Sequence, residues 1–258
     1  MLKISPFKLQ LYDQCPRQYK FVYVDQCSDQ YKTPKPYLTM GAHIHNTLKD
    51  LFETVAASDR GYAIAEKILR KRWRENRAGF SSREEERVYG IRALQMLRLF
   101  CYKTDFSIQP VLLEDYYETI LENEWKLLGR VDRVDEEADG LHVIDYKTGK
   151  LDEERISNLQ LVLYAIIMQA KTGRPVVRAS YLYLQNYTWK TLEIQEEDFA
   201  EAIAVVKKKI HTLSQDQEFP ARMNPYCPCD FLEICPIKAE VLKQKEKNPA
   251  RAGGEIAV

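Results

Sequence analysis

The stretch GRVDRVDEEADGLHVIDYKTGK, Gly129 to Lys150, puts Asp132 on one strand-like segment and Asp145 and Lys147 at the end of the next. Aspartate is a poor strand former, and a carboxylate on a buried strand carries a large desolvation penalty unless something compensates it. A divalent cation is the simplest compensation for two such carboxylates approaching from neighbouring strands. Mg²⁺ and Mn²⁺ take oxygen ligands and usually keep several waters. A coordinated water is acidic enough to become an attacking hydroxide. Lys147 lies two residues from Asp145, so on a strand both side chains share a face. An ammonium there can hold or deprotonate the water, or neutralise charge building on a phosphate. The chemistry implied is metal-assisted hydrolysis. Asp-x-Lys by itself is more often a surface ion pair, and Asp135, Glu136 and Glu137 read as solvated turn residues.

Two further pairs could serve the same centre. Gln160 and Tyr164 are four apart on an apolar helical stretch and so share one face. His45, in GAHIHNTLKDLF, follows Gly41 by one helical turn. Each also has an ordinary reading, an amphipathic helix and a satisfied helix histidine.

The six cysteines are Cys15, Cys27, Cys101, Cys227, Cys229 and Cys235, three of them crowded into CPCDFLEIC. In a chain read as intracellular, such crowding points to metal rather than disulfides. One cysteine near the N-terminus and three near the C-terminus would make a clasp joining the termini, and four thiolates suit Zn²⁺ or a [4Fe–4S] cluster. Cys15, Cys227 and Cys235 each precede proline, which also occurs in iron–sulfur ligand runs. Cys27 is a substitute ligand, and Cys101 a small core residue.

The elements that must position these groups follow from periodicity. Ser5-Pro6 predicts a helix start, with one helix to about Gln14 and another from Pro16 to about Val24. Cys27 to Tyr37 reads as loop. Helices are expected over Leu38–Val55, Tyr62–Arg77 and Arg83–Tyr102, the last with Val88, Ile91, Leu94 and Leu97 on its apolar face. Asp115–Trp125 and Lys126–Glu137 alternate like strands, and Ala138-Asp139-Gly140 supplies a turn with glycine available for positive φ. The run from Leu141 to Tyr146 is a more continuous strand, buried on both faces. A helix from Ile156 stops at Gly173 and Pro175; a strand pair surrounds Asn186; a helix with acidic residues first and lysines last starts near Glu196. The order predicts an α/β protein with a small mixed central sheet.

With 258 residues the chain can bury a substantial interior. No stretch approaches the roughly 18 apolar residues of a membrane span, and the N-terminus lacks the pattern of a secretory signal. The expectation is a soluble cytoplasmic protein with no membrane partner. The 38 basic and 38 acidic residues cancel, so nucleic-acid affinity must come from local patches. Glu66 to Arg77, EKILRKRWRENR, has six basic residues against two acidic, and Lys207–Lys209 is a shorter patch. A solvated helix face is the competing reading of both.

Gly41-x-x-x-His45, Gly129-x-x-Asp132, Asp145-Tyr146-Lys147 and Gln160-x-x-x-Tyr164 occur in this order, with cysteines at both ends. From about Ser5 to Cys235 the chain resembles the PD-(D/E)XK nucleases of the RecB-like exonuclease branch, which includes the CRISPR-associated adaptation nucleases. The resemblance implies a restriction-endonuclease-like core flanked by helices. It implies four segments: a helical region 1–112, a nuclease core 113–214, a cysteine clasp 215–244 and a mobile tail 245–258. His45, Asp132, Asp145 and the main-chain carbonyl of Tyr146 would bind Mg²⁺ or Mn²⁺, Lys147 would be the catalytic lysine, and Gln160 and Tyr164 would position substrate or water. Cys15, Cys227, Cys229 and Cys235 would hold a [4Fe–4S] cluster, with zinc as the alternative. The family's Cys-x2-Cys is one residue shorter here, with Tyr226 where a cysteine would fall. The implied activity is a DNA exonuclease acting on single-stranded or end-bearing DNA, with a helicase or CRISPR adaptation complex as partner. The rivals are a catalytically silent DNA-binding module and a zinc-stabilised regulatory protein.

Overall fold

The acidic segments become neighbouring strands of one six-stranded mixed sheet. The structure, a computed structural model, describes residues 1–153, 157–223, 227 and 229–247. Strands β2 (Leu112–Leu121), β3 (Trp125–Glu137) and β4 (Gly140–Lys147) run as an antiparallel meander. The first reversal falls at Glu122 and Asn123, both at positive φ. Strand β2 therefore ends before the point that alternation predicts, and Trp125 opens the next strand. At the second reversal Gly140 is not at positive φ. It is needed because a Cβ there would lie 2.5 Å from the carbonyl oxygen of Pro175.

Strand β4 is buried along its length up to Lys147 and pairs on both edges. Its second partner, β5 (Val176–Tyr183), is parallel. A parallel pair needs a crossover, supplied by α7 (Asn158–Thr172), which Gly173 ends at φ 68°. Strand β6 (Thr188–Glu193) adds antiparallel to β5. Strand β1 (Leu2–Ile4), too short to show alternation in the sequence, adds to β3.

The chain divides into two compact units. Among the described residues, one holds Met1–Lys3 and Pro34–Phe199, and the other Ile4–Thr33 and those from Ala200 to Lys247. In the first unit, α4 (Pro36–Thr54), α5 (Tyr62–Glu75) and α6 (Arg83–Lys103) share a core with the sheet. Ile44, Leu48 and Leu51 of α4 and Leu97 and Phe100 of α6 are fully enclosed with Ile144, Tyr146 and Leu182. The buried stripe of α6 is Ala93, Met96, Leu97 and Phe100. Val88 and Ile91, expected on that face, are exposed. Helix α4 starts at Pro36, where a proline costs no hydrogen bond.

The second unit is built from both ends of the chain. It contains α1 (Pro6–Gln14), α2 (Pro16–Tyr19) running into a π-turn at Lys20–Val24, α3 (Ser28–Tyr31), most of α8 (Glu196–Gln215) and α9 (Lys238–Lys247). Ser5 caps α1 by accepting from the Lys8 N–H, as expected. Helix α3 falls where loop was expected. Tyr12 donates to Asp216 at 2.6 Å, and Phe21 and Tyr31 pack their rings on Phe231. Residues 245–247 of the expected tail are helical; the rest of that expectation, and the departure at Tyr226, lie outside the described residues.

Candidate metal centre

The β3–β4 ladder ends with Arg133 opposite Ile144, so Asp132 and Asp145 form the next pair at its open end. There the Tyr146 N–H leaves the ladder and donates to Asp132 Oδ2 at 2.7 Å. Helix α4 brings His45, whose Nδ1–H donates to Asp132 Oδ1 at 2.9 Å. Gly41, one turn earlier, lets the helix run close: a Cβ would sit 3.1 Å from Thr148 Oγ1. On the other side of β3, the register brackets Glu114 of β2 opposite Asp132. Three carboxylates, Glu114, Asp132 and Asp145, thus lie in a row across three adjacent strands, and all three are buried.

Ligand atoms of His45, Glu114 and Asp132 lie within 4.8 Å of one another. Burial raises the Asp145 carboxyl from its ordinary value; Lys147 opposes this and Asp132 adds to it. Burial likewise raises Glu114, with Arg130 pulling the other way. For His45, burial disfavours the charge, but Asp132 outweighs it and the imidazole is raised. Glu114 Oε2 is buried without a hydrogen-bond donor among the described residues. Lys147 Nζ lies 2.8 Å from Asp145 Oδ2 and partners its charge. A buried carboxylate oxygen without a donor, close to His45 and Asp132, is what a hard divalent cation would satisfy.

Lys147 shares its face with Asp145, as the spacing requires, and extends the site toward α7. Its Nζ is 3.4 Å from Gln160 Oε1 and sits over the Tyr181 ring at 4.9 Å. Gln160 Nε2 donates to the Tyr164 hydroxyl oxygen at 2.9 Å, and the Tyr181 hydroxyl donates to Gln160 Oε1 at 3.1 Å. Gly129 is where α7 meets β3: a Cβ would stand 2.6 Å from Ile167 Cδ1 and 3.0 Å from the Tyr164 ring. His45, Asp132, Asp145, Lys147, Gln160 and Tyr164 therefore gather in one place.

Glu114 escaped the sequence reading. It is the acidic residue of Leu112–Leu121 at a buried position, whereas Asp115 and Glu118 face outward. Alternation carries no signal for it, because Tyr116, Glu118 and Ile120 share its parity and are exposed. In contrast, Asp135 is no solvated turn residue. It is buried and bound twice by Arg133, at 2.6 Å each.

The cysteines Cys15, Cys227, Cys229 and Cys235 belong to the second unit. Burial pushes the Cys229 thiol up to about 12, and Cys227, Cys15 and Cys235 each add to the shift. These thiols do not form a set as tight as that at His45 among the described residues. Cys27 donates to the Phe21 carbonyl at 3.3 Å, and Cys101 packs against the core of the first unit.

Residues 3–236 match the family model described as the PD-(D/E)XK nuclease superfamily. Among solved structures, the chain is similar to a candidate exonuclease from Eubacterium rectale (11% identity, TM-score 0.52, covering 92% of this chain and 87% of that one). It also matches SSO0001 (16% identity, TM-score 0.41, covering 92% and 86%). No curated protein matches. No described helix is long and apolar enough to cross a membrane.

Proposed function

The chain belongs to the PD-(D/E)XK nuclease superfamily, and on that premise we propose that it is a metal-dependent DNA exonuclease of the RecB-like branch acting on single-stranded ends. The observation that carries this reading is the buried row of Glu114, Asp132 and Asp145, with ligand atoms of His45, Glu114 and Asp132 within 4.8 Å of one another and Lys147 beside Asp145. The exonuclease named in the Eubacterium rectale structure is consistent with end-directed cleavage. His45, Asp132, Asp145, the Tyr146 carbonyl and Glu114 would hold Mg²⁺ or Mn²⁺. A bound divalent cation would supply Lewis-acid activation of water and charge neutralisation at the scissile phosphate.

The chain's own residues do the rest. The Tyr146 N–H and His45 fix the Asp132 carboxylate from two directions, so its oxygens need not reorganise. Gln160, held by Tyr164 and Tyr181, keeps Lys147 on the Asp145 side. From there its ammonium stabilises charge on the phosphate or orients water. The four cysteines would hold a [4Fe–4S] cluster, or zinc in its place. Their place together in the second unit supports a shared site. A helicase or a CRISPR adaptation complex is the partner this branch would supply.

The test is cleavage of end-labelled single-stranded DNA in Mn²⁺ by anaerobically purified protein, beside its Asp145→Ala variant and a circular single strand. The expected result is release from the linear substrate, a loss on the order of 10²-fold or more in the variant, and an intact circle. Cutting of the circle would make the enzyme an endonuclease. Tight binding with no cutting of either substrate would overturn catalysis and leave a DNA-binding module.

A further inference from the structure

The basic run of the sequence has a use that the metal centre does not absorb. Helices α5 and α6 enclose an open groove of about 700 Å³. Its floor is apolar, with Leu69, Trp73, Ile91 and Leu94, and its rim carries five arginines, Arg70, Arg74, Arg77, Arg83 and Arg87. The single acidic residue of the lining, Glu86, is already committed: Arg77 grips it at both oxygens and the Trp73 indole N–H donates to it at 3.1 Å. Arg70 is paired with Glu66 of its own helix. Arg74 and Arg87 have no carboxylate partner among the described residues, and Arg83 acts on Glu86 only through its field. All three are exposed.

Glu75, Glu84 and Glu85 lie close by in sequence but outside the groove, whose lining sets five arginines against one acid. Here Ile91 stays 45% exposed in the midst of unpaired guanidinium groups. Guanidinium forks match phosphate oxygens, and an apolar floor with an indole suits unstacked base faces. A duplex keeps its bases stacked inside, so the two features fit one strand at a time. The groove is also separate from the metal centre. Trp73 packs at 5.1 Å on His43, which lies two residues from His45 and therefore on a different side of α4.

We propose that the α5–α6 groove is an accessory anchor for single-stranded DNA, in which Arg74, Arg83 and Arg87 bind phosphates and the apolar floor receives bases. The proposal rests on the nuclease reading for its choice of nucleic acid. The anchor contributes affinity for long strands and leaves the chemistry at Asp145 unchanged. An acidic protein is the other partner such a rim would accept.

The experiment measures binding of fluorescein-labelled oligo(dT), about 30 nucleotides long, to the full chain in EDTA, where cleavage is suppressed, across a salt series. The triple variant Arg74→Ala/Arg83→Ala/Arg87→Ala is compared with wild type and with the triple Arg→Lys variant. At roughly 0.7 counterions per neutralised phosphate on a single strand, loss of three contacts lowers the salt slope by about 2. The expected result is that drop, an affinity loss of tenfold or more, partial rescue by lysine, and an unchanged melting temperature. Equal slopes and affinities for wild type and the alanine variant would overturn the anchor and leave the groove to an acidic protein. Cleavage of a strand only a few nucleotides long separates the two readings. If wild type cuts it but the slopes agree, the anchor alone fails; if nothing is cut yet the slope drops, the catalytic reading alone fails.

Discussion

The two faces of the β3–β4 ladder are both buried and both charged, yet they are finished differently. On one face lie Asp132, Asp145 and, from β2, Glu114, and there Glu114 Oε2 has no donor among the described residues. On the other lie Arg133, Asp135 and His142, and these are matched. Arg133 binds Asp135 through two hydrogen bonds and rests on the Phe52 ring at 4.4 Å; His142 Nε2 meets Ser180 Oγ at 2.7 Å. Glu137 is shared by Arg178 at 2.9 Å and His142 Nδ1 at 3.2 Å. The Tyr146 hydroxyl is the exception on this face: Arg133 acts on it, but no hydrogen bond satisfies it among the described residues. Buried charge is expensive on either face. Where partners complete it, charge specifies structure; where they do not, something from outside is expected to complete it.

The contrast makes its largest prediction at Asp135. Asp135→Ala strands the Arg133 guanidinium in a buried site without its carboxylate, which costs about 3–5 kcal/mol. Denaturant unfolding would measure this loss. The cleavage rate per folded molecule should stay within a few-fold of wild type, because the Asp135 side chain lies on the opposite face of β3 from the Asp132 carboxylate. A rate that collapses along with stability would mean the two faces are not separable.

The next prediction concerns acid. Burial, with Arg178 and Arg133 adding to it, lowers His142 to about 4 from an ordinary 6.5. Glu137 does little to reverse this because its carboxylate is already engaged by Arg178. The folded-state value is depressed, so as pH falls the unfolded chain takes up its proton first. The stabilisation is complete above about pH 6.5 and is lost progressively down to about pH 4, amounting to about 3 kcal/mol. The slope of stability against pH in that window should flatten in His142→Gln. If both proteins show the same slope, His142 is not held neutral and the matched face is less finished than its hydrogen bonds suggest.

Much of the unmatched face was legible in the sequence because spacing alone places its groups. Asp145 and Lys147 are two apart on a strand, Gln160 and Tyr164 four apart on a helix, and Gly41 one turn before His45. The matched face was not legible. Asp135 looked like a turn residue because its neighbours Glu136 and Glu137 are acidic; the strand runs on to Glu137 in the structure, and there Arg133, two residues back on the same face, binds it. The apolar face of α6 was misplaced for a related reason: Val88 and Ile91 are spaced like core residues, but both are exposed, and Ile91 lines a groove and not the core. Periodicity reports which residues share a face, not what lies against that face.

Glu114 joins the two lessons, and Glu114→Gln gives the smallest effect and the cleanest discrimination. The substitution keeps the shape and removes the charge. Arg130, its ion-pair partner at 2.7 Å, has an exposed side chain and can be hydrated in its place. Burial already raises the Glu114 carboxyl, so the folded protein gains by losing the charge in the absence of metal. Stability in EDTA should therefore stay equal or rise. If Glu114 is a ligand, the Mn²⁺ concentration for half-maximal cleavage should increase roughly tenfold, about 1.4 kcal/mol of binding, while the rate at saturating Mn²⁺ changes little. Loss of stability in EDTA with an unchanged Mn²⁺ requirement would place Glu114 among the matched charges, where Arg130 alone completes it. The row of three carboxylates would then reduce to Asp132 and Asp145.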